Sequence, residues 1–203
     1  MQATCLDLCA DSEITANTAL IEVEVRLRIE DGPSAFSALD ALGVVLDAGV
    51  MQDDQAYAPA SWAYGECRLG VTFARLRTVG DQHWFTVKRP ITDVRTCVEH
   101  QCRVSERETM HNAILLMGFR PTVRIVKTRR SGRIGELKIC LDDVHGLGLF
   151  LEMEALARPG DDLAQVRQSL DDSLELLDLA AEPCFETYDA LIYDSPPQLR
   201  LVV

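Results

Sequence analysis

Glu22, Glu24, Arg26 and Arg28 occupy alternate positions between Ile21 and Ile29. A strand over this segment carries all four on one face, with Ile21, Val23, Val25, Leu27 and Ile29 on the other. The same even spacing pairs Arg75 with Arg77, Glu99 with Arg103, Lys127 with Arg129, Glu136 with Lys138, and Glu152 with Glu154. A single face of this kind is most simply a solvated sheet surface laced with cross-strand ion pairs. Repetition along so many segments weakens that reading. If the charged faces turn inward, the cost of burying charge has to be offset by metal, water and a polyanionic ligand, and the lumen becomes a binding site.

The elements that must position these groups are marked by periodicity and turn residues. Asp31-Gly32-Pro33 opens a helix expected to run to about Asp47, with Phe36, Leu39, Leu42 and Leu46 at helical spacing and Gly49 after its end. A strand over Val98–Val104 leads into Ser105-Glu106-Arg107-Glu108, a capping-box pattern ahead of Met110, Ile114 and Met117, and Gly118 stops that helix. Further strands are expected over 71–77, 83–88, 123–128, 135–142 and 147–154. Val79-Gly80-Asp81, Ser131-Gly132 and His145-Gly146 supply short connections, which favours antiparallel pairing. Past Pro159-Gly160, Asp161 and Asp162 start an acidic amphipathic helix with a stripe of Leu163, Val166, Leu170, Leu174 and Leu177. Its acidic polar face suits a cover over the sheet rather than a membrane surface.

Composition narrows the function classes. The chain has 203 residues, 47% of them hydrophobic, and no apolar run near the roughly 20 residues that span a bilayer. Residues 1–18 have no basic stretch followed by an apolar core, so a cytoplasmic location is expected. The seven cysteines form no CxxC pair and are read as reduced thiols. The four histidines are scattered without an HExxH, which gives nucleophilic or zinc chemistry little support. A net charge of -12 argues against nucleic acid as a partner. Between Arg68 and Lys138, however, fifteen Lys/Arg stand against six Asp/Glu, while the rest of the chain has five against twenty-six. An acidic protein with a basic middle suits a small polyanion held locally.

Glu22-Val23-Glu24-Val25-Arg26 resembles the ExExK signature of the CYTH, or triphosphate tunnel, superfamily. The order of later segments supports the likeness. Gln52-Asp53-Asp54 with Tyr57, Phe73-Ala74-Arg75-Leu76-Arg77, Val87-Lys88-Arg89-Pro90 and Val126-Lys127-Thr128-Arg129-Arg130 resemble the family's successive motifs. The run from Leu141 to Glu154 is similar to the L-D-x-V-x-G-L-G-x-F-x-E-x-E segment of the class IV adenylyl cyclase branch, and Thr187 to Leu191 matches more loosely.

The resemblance implies an α+β fold in which an antiparallel β-barrel of about eight strands forms a triphosphate tunnel, with helices packed outside. One such domain is expected over 1–203, with 1–19 an N-terminal extension and 161–203 a helical and tail region completing it. By position, Glu22, Glu24, Asp142, Glu152 and Glu154 correspond to metal carboxylates. Arg28, Arg75, Arg77, Lys88, Arg103, Lys127 and Arg129 are assigned to substrate, and Arg26 and Lys88 to catalysis. Oxygen ligands suit Mg²⁺ or Mn²⁺. The implied partner is a small-molecule triphosphate, a nucleotide first, without nucleic acid or membrane, and a homodimer is left open.

Metal-assisted transfer at phosphorus follows: conversion of ATP to cyclic AMP and pyrophosphate, or alternatively hydrolysis of a nucleoside, inorganic or thiamine triphosphate. A non-catalytic nucleotide or polyphosphate binder is the reading from a different class. The sequence departs from the branch at Arg26, where the signature has lysine, at Leu149, where many of these cyclases have Asp, and at Glu186-Thr187-Tyr188, where they have R-S-Y. An Arg for Lys exchange changes a compact donor into a fixed planar fork.

Overall fold

The computed structural model describes residues 20–177 and 179–196. The expected N-terminal extension, 1–19, and the last residues of the tail, 197–203, lie outside the described residues. In chain order the elements are β1 (Ile21–Ile29), α1 (Gly32–Ala41), β2 (Val50–Pro59), β3 (Phe73–Val79), β4 (Gln82–Pro90), β5 (Thr96–Val104), α2 (Arg107–Leu116), β6 (Phe119–Ile134), β7 (Leu137–Val144), β8 (Gly148–Ala157), α3 (Leu163–Glu175), β9 (Ala181–Pro183) and α4 (Tyr188–Asp194).

Strand alternation decides how these elements assemble. The sheet runs β5-β4-β3-β2-β6-β7-β8-β1, and β5 returns to β1, so eight antiparallel strands close into a barrel. The open edge of β1 is shared. β5 pairs with Ile21–Val23, β9 pairs with Leu27–Ile29, and between them Glu24 N donates to Arg95 O and Cys184 N to Arg26 O. The barrel is apolar outside. Val23, Val25, Ile139, Leu141, Leu151 and Met153 pack outward against Ala35 and Leu39 of α1 and Leu170 of α3. Each such aliphatic side chain contributes about 1.5–3 kcal/mol on burial, so the outer core carries stability and leaves the lumen free for polar groups. A second outer cluster seats Ile114 of α2 against Tyr57, Ala74 and Leu76.

The helices follow local signals with two differences. Asp162 caps α3 by accepting from Ala164 N and Gln165 N, and its leucine stripe meets the barrel as expected. α1 ends at Ala41 instead of reaching Asp47. Gly43 takes φ 73°, its N–H donates to Asp40 O, and Val44 N donates to Leu39 O. This Schellman-type end turns Val44 back into the core. α2 begins one residue later than a Ser105 cap requires; Glu106 stands at the N-cap without a side-chain cap bond.

Ser131-Gly132 is not a turn. β6 runs through it for sixteen residues, pairing first with β2 and then with β7, and the hairpin turn falls at Gly135, φ 55°. Gly132 is needed for close approach: a Cβ there would lie 2.8 Å from Val44 Cγ1 and 2.9 Å from Val45 O. No helix of the described residues is long and apolar enough to cross a membrane.

Candidate active site in the barrel lumen

The inward parity of the eight barrel strands brings charge into one cavity of about 290 Å³, with Asp54 of β2 and Glu99 of β5 also on its wall. β1 contributes Glu22, Glu24 and Arg26, β3 contributes Arg75 and Arg77, β4 Lys88, β6 Lys127 and Arg129, β7 Lys138, and β8 Glu152 and Glu154. Arg28 and Arg103 share the parity but are exposed and do not line the cavity. Arg28 instead lies 5.1 Å from the ring centre of Phe150. Asp142 is fully buried and does not line the cavity. It accepts from Lys127 Nζ at 2.6 Å, from two nitrogens of Arg129 at 2.7 and 2.5 Å, and from the Tyr188 hydroxyl at 3.1 Å.

Within the cavity the carboxylates and cations form two neighbourhoods. One oxygen each from Glu24, Glu152 and Glu154 lies within 4.8 Å of the others. Three carboxylate oxygens so grouped form a candidate site for a divalent cation, and hard oxygen ligands suit Mg²⁺ or Mn²⁺. Arg26 bridges two of them, with Nη2 2.7 Å from Glu24 Oε1 and 2.7 Å from Glu152 Oε1. Arg129 reaches Glu152 and Glu154, and Lys138 lies 2.6 Å from Glu154 Oε2. Glu22 stands outside this group and pairs with Lys88, which is also 2.6 Å from Glu99 Oε2.

On the cationic side, Arg77 makes a two-pronged contact with Asp54 at 2.7 Å per bond. Arg75 is held loosely. It comes no closer than 4.0 Å to Asp54 or Glu99, and its buried Nε has no hydrogen-bond partner.

Electrostatics separates the two neighbourhoods further. Burial, reinforced by Glu152 and Glu22 and opposed by Arg26, raises the Glu24 carboxyl to about 7. Glu152 is held well below the usual carboxylate range, because Arg129 and Arg26 overcome its burial. Burial beside Arg129 lowers the Lys127 ammonium to about 8, and burial beside Arg77 lowers Arg75. Burial thus outweighs the Arg26 contact at Glu24 and the Asp142 contact at Lys127, while Arg75 has no carboxylate within hydrogen-bond distance.

Several lumen residues were not assigned to the site from sequence, although Asp54 and Tyr188 fall in segments that resemble family motifs. Asp54 lies on β2, whose mixed segment did not read as a strand. Arg68 and Arg95 come from loops, and Tyr188 from α4, whose first turn forms part of the wall. Tyr188 places its ring 4.2 Å from the Arg26 guanidinium and 4.8 Å from Lys127 Nζ.

A closed antiparallel barrel with helices outside and a charged lumen defines a tunnel-type fold. The CYTH domain matches residues 20–183, and the chain belongs to that family. A protein named "Putative adenylate cyclase" in Methanocaldococcus jannaschii is 26% identical over 160 residues, 78% of this chain and 88% of that one. The PH1819 protein of Pyrococcus horikoshii has a similar structure, with a TM-score of 0.71 at 20% identity over 85% of this chain and 98% of that one. The HpAC1 protein of Hippeastrum, described as a "putative adenylyl cyclase" with "a dominant triphophatase activity", gives 0.56 at 16% identity, covering 85% and 94% of the two chains.

Proposed function

We propose that this chain is a divalent-metal-dependent enzyme acting on the triphosphate of a small molecule, with ATP as the first substrate and cyclic AMP and pyrophosphate as products. One observation carries this reading. A single cavity sets the grouped carboxylates Glu24, Glu152 and Glu154 beside a bank of cations that includes Arg75, whose buried Nε has no hydrogen-bond partner and which comes no closer than 4.0 Å to Asp54 or Glu99. A metal–triphosphate complex satisfies both at once, and neither a free metal nor a free anion does.

In this reading Glu24, Glu152 and Glu154 hold the cation, which when bound neutralises phosphate charge and stabilises the leaving group. Arg75, Arg77, Lys88, Lys127 and Arg129 orient the phosphate chain, with Arg75, the guanidinium least engaged by carboxylates, best able to take two phosphate oxygens. Asp142 acts through them, fixing Lys127 and Arg129. Glu24, Arg26, Lys127, Arg129, Glu152 and Glu154 are buried within the barrel, where their charges are screened less than at an exposed surface. Cyclisation requires the ribose 3′-hydroxyl in line with the α-phosphorus. The new P–O bond forms as the bond from the α-phosphorus to pyrophosphate breaks, and the hydroxyl proton passes to water.

Hydrolysis to a diphosphate and phosphate is the second reading, favoured by Arg26. Its broad guanidinium in place of a lysine shifts the register in which the phosphates sit along the lumen. Register decides which phosphorus is attacked. The test is the pure protein with ATP, GTP, inorganic triphosphate and thiamine triphosphate, each with Mg²⁺ or Mn²⁺, all phosphorus products being resolved by ³¹P NMR. Cyclic AMP with pyrophosphate supports the first reading, and phosphate with a diphosphate supports the second. Binding without turnover by any of them removes the enzyme reading.

A further inference from the structure

Arg26 is more than one lumen cation among several. Its Nη2 lies 2.7 Å from both Glu24 Oε1 and Glu152 Oε1, and Nε donates to Glu152 at 2.8 Å. The guanidinium therefore sits between two of the three carboxylates assigned to metal. Its remaining contacts lead elsewhere. Nη1 donates to Glu186 O at 2.5 Å, the plane lies 4.2 Å from the Tyr188 ring centre, and Arg26 O accepts from Cys184 N at 2.9 Å. Glu186 and Tyr188 belong to the stretch from β9 to α4 whose Thr187, Tyr188 and Asp189 line the cavity.

We propose that Arg26 is a built-in cation that competes with the metal for Glu24 and Glu152, and that a metal ion taking these carboxylates frees the guanidinium and loosens the β9–α4 strap over the lumen. This rests on reading Glu24, Glu152 and Glu154 as the metal site. A divalent ion at about 2.0–2.2 Å from these carboxylates would stand close beside the guanidinium that already bridges them, and two cations so near repel, so metal binding favours displacement of Arg26. Once Arg26 swings away, its bond to Glu186 O and its stacking on Tyr188 go together, because one rigid plane makes both. The strap keeps its β9 pairing and its packing on Val123, Ile125 and Phe150, so it loosens without leaving. A lysine at this position would reach one carboxylate as a point charge, without holding the second or the strap.

The experiment is titration of the full chain with Mn²⁺ alone by calorimetry, comparing wild type, Arg26→Lys and Arg75→Lys, with hydrogen exchange measured over 181–194. Both substitutions conserve charge, so long-range electrostatics is held constant. Arg26→Lys is expected to bind Mn²⁺ about tenfold tighter than wild type and Arg75→Lys to stay within about twofold, since only the first removes the bridging fork. Mn²⁺ is expected to speed exchange of 181–194 in wild type, whereas in Arg26→Lys that exchange is already fast without metal. Equal affinities in all three proteins, or strap exchange in wild type indifferent to Mn²⁺, would overturn the inference. Absence of Mn²⁺ binding in every variant would overturn the metal reading with it. Should Arg26→Lys fail to fold, Arg26→Gln against Arg75→Gln makes the same comparison at matched charge.

Discussion

At the scale of single residues, the lumen joins groups whose protonation states oppose one another. Glu24 must lose its proton to hold a cation, and its carboxyl is raised to about 7, first by burial. Lys127 must keep its proton to hold phosphate, and its ammonium is lowered to about 8, again first by burial. Activity per free enzyme and substrate is therefore expected to fall below about pH 7 and above about pH 8, a narrow bell in kcat/KM. Glu24→Gln should remove the acidic limb and cost about a hundredfold or more in turnover. A pH–rate profile with a flat acidic side in wild type would contradict the assignment.

Asp142 belongs to the same scale with a different consequence. It accepts from Lys127, Arg129 and Tyr188 while fully buried. Asp142→Ala removes the carboxylate paired with buried Lys127 and one of the three paired with Arg129, and a loss of about 3–5 kcal/mol in urea unfolding is expected. The sequence placed Asp142 and Glu22 with the metal carboxylates, whereas the described side chains bring together Glu24, Glu152 and Glu154. Strand parity determines which face a residue shares. Which carboxylate ends up beside which cation depends on the shear of the barrel, and that is a property of many strands.

At the scale of elements, β6 shows why a glycine can mislead. Ser131-Gly132 has the composition of a turn, yet the strand continues because Gly132 makes room for Val44 and the carbonyl of Val45. Gly132→Ala forces β6 or the chain after α1 to move, and a lowered Tm corresponding to about 1–3 kcal/mol is expected in thermal unfolding. α3 makes the opposite case, since its leucine stripe and Asp162 cap were legible from periodicity alone. Leu170, wholly buried against the outer face, should cost about 2–5 kcal/mol on change to Ala while leaving metal affinity unaltered. Stability lost together with metal affinity would mean that the outer core and the lumen are not separable.

At the scale of the whole molecule, the barrel divides labour between its two faces. Hydrophobic burial lies outside, between strands and helices, and the lumen holds opposed charges whose burial is costly without a ligand. Metal and triphosphate together should therefore raise Tm more than the sum of the two separate effects. At a hundredfold excess over Kd the linkage is worth about 2.7 kcal/mol. Additive shifts in a thermal scan with Mg²⁺, inorganic triphosphate and both would remove the cooperative lumen.

The sequence by itself determined the alternation of charge and apolar side chains, the identity of β1, the cap and stripe of α3, and the ordered motifs that point to the CYTH family. These are local properties, carried by periods of two and 3.6 residues. Alternation alone cannot say whether a charged face meets solvent or a lumen, because both satisfy the same pattern. Only closure of β5 onto β1 turned those faces inward. Tertiary structure likewise left Arg28 and Arg103 outside the cavity, recruited Asp54 and Tyr188 to it, and set the Arg26 guanidinium between Glu24 and Glu152. The shear of eight strands and the return of the C-terminal strap bring together residues as distant in sequence as Arg26 and Tyr188, and no local period encodes that meeting.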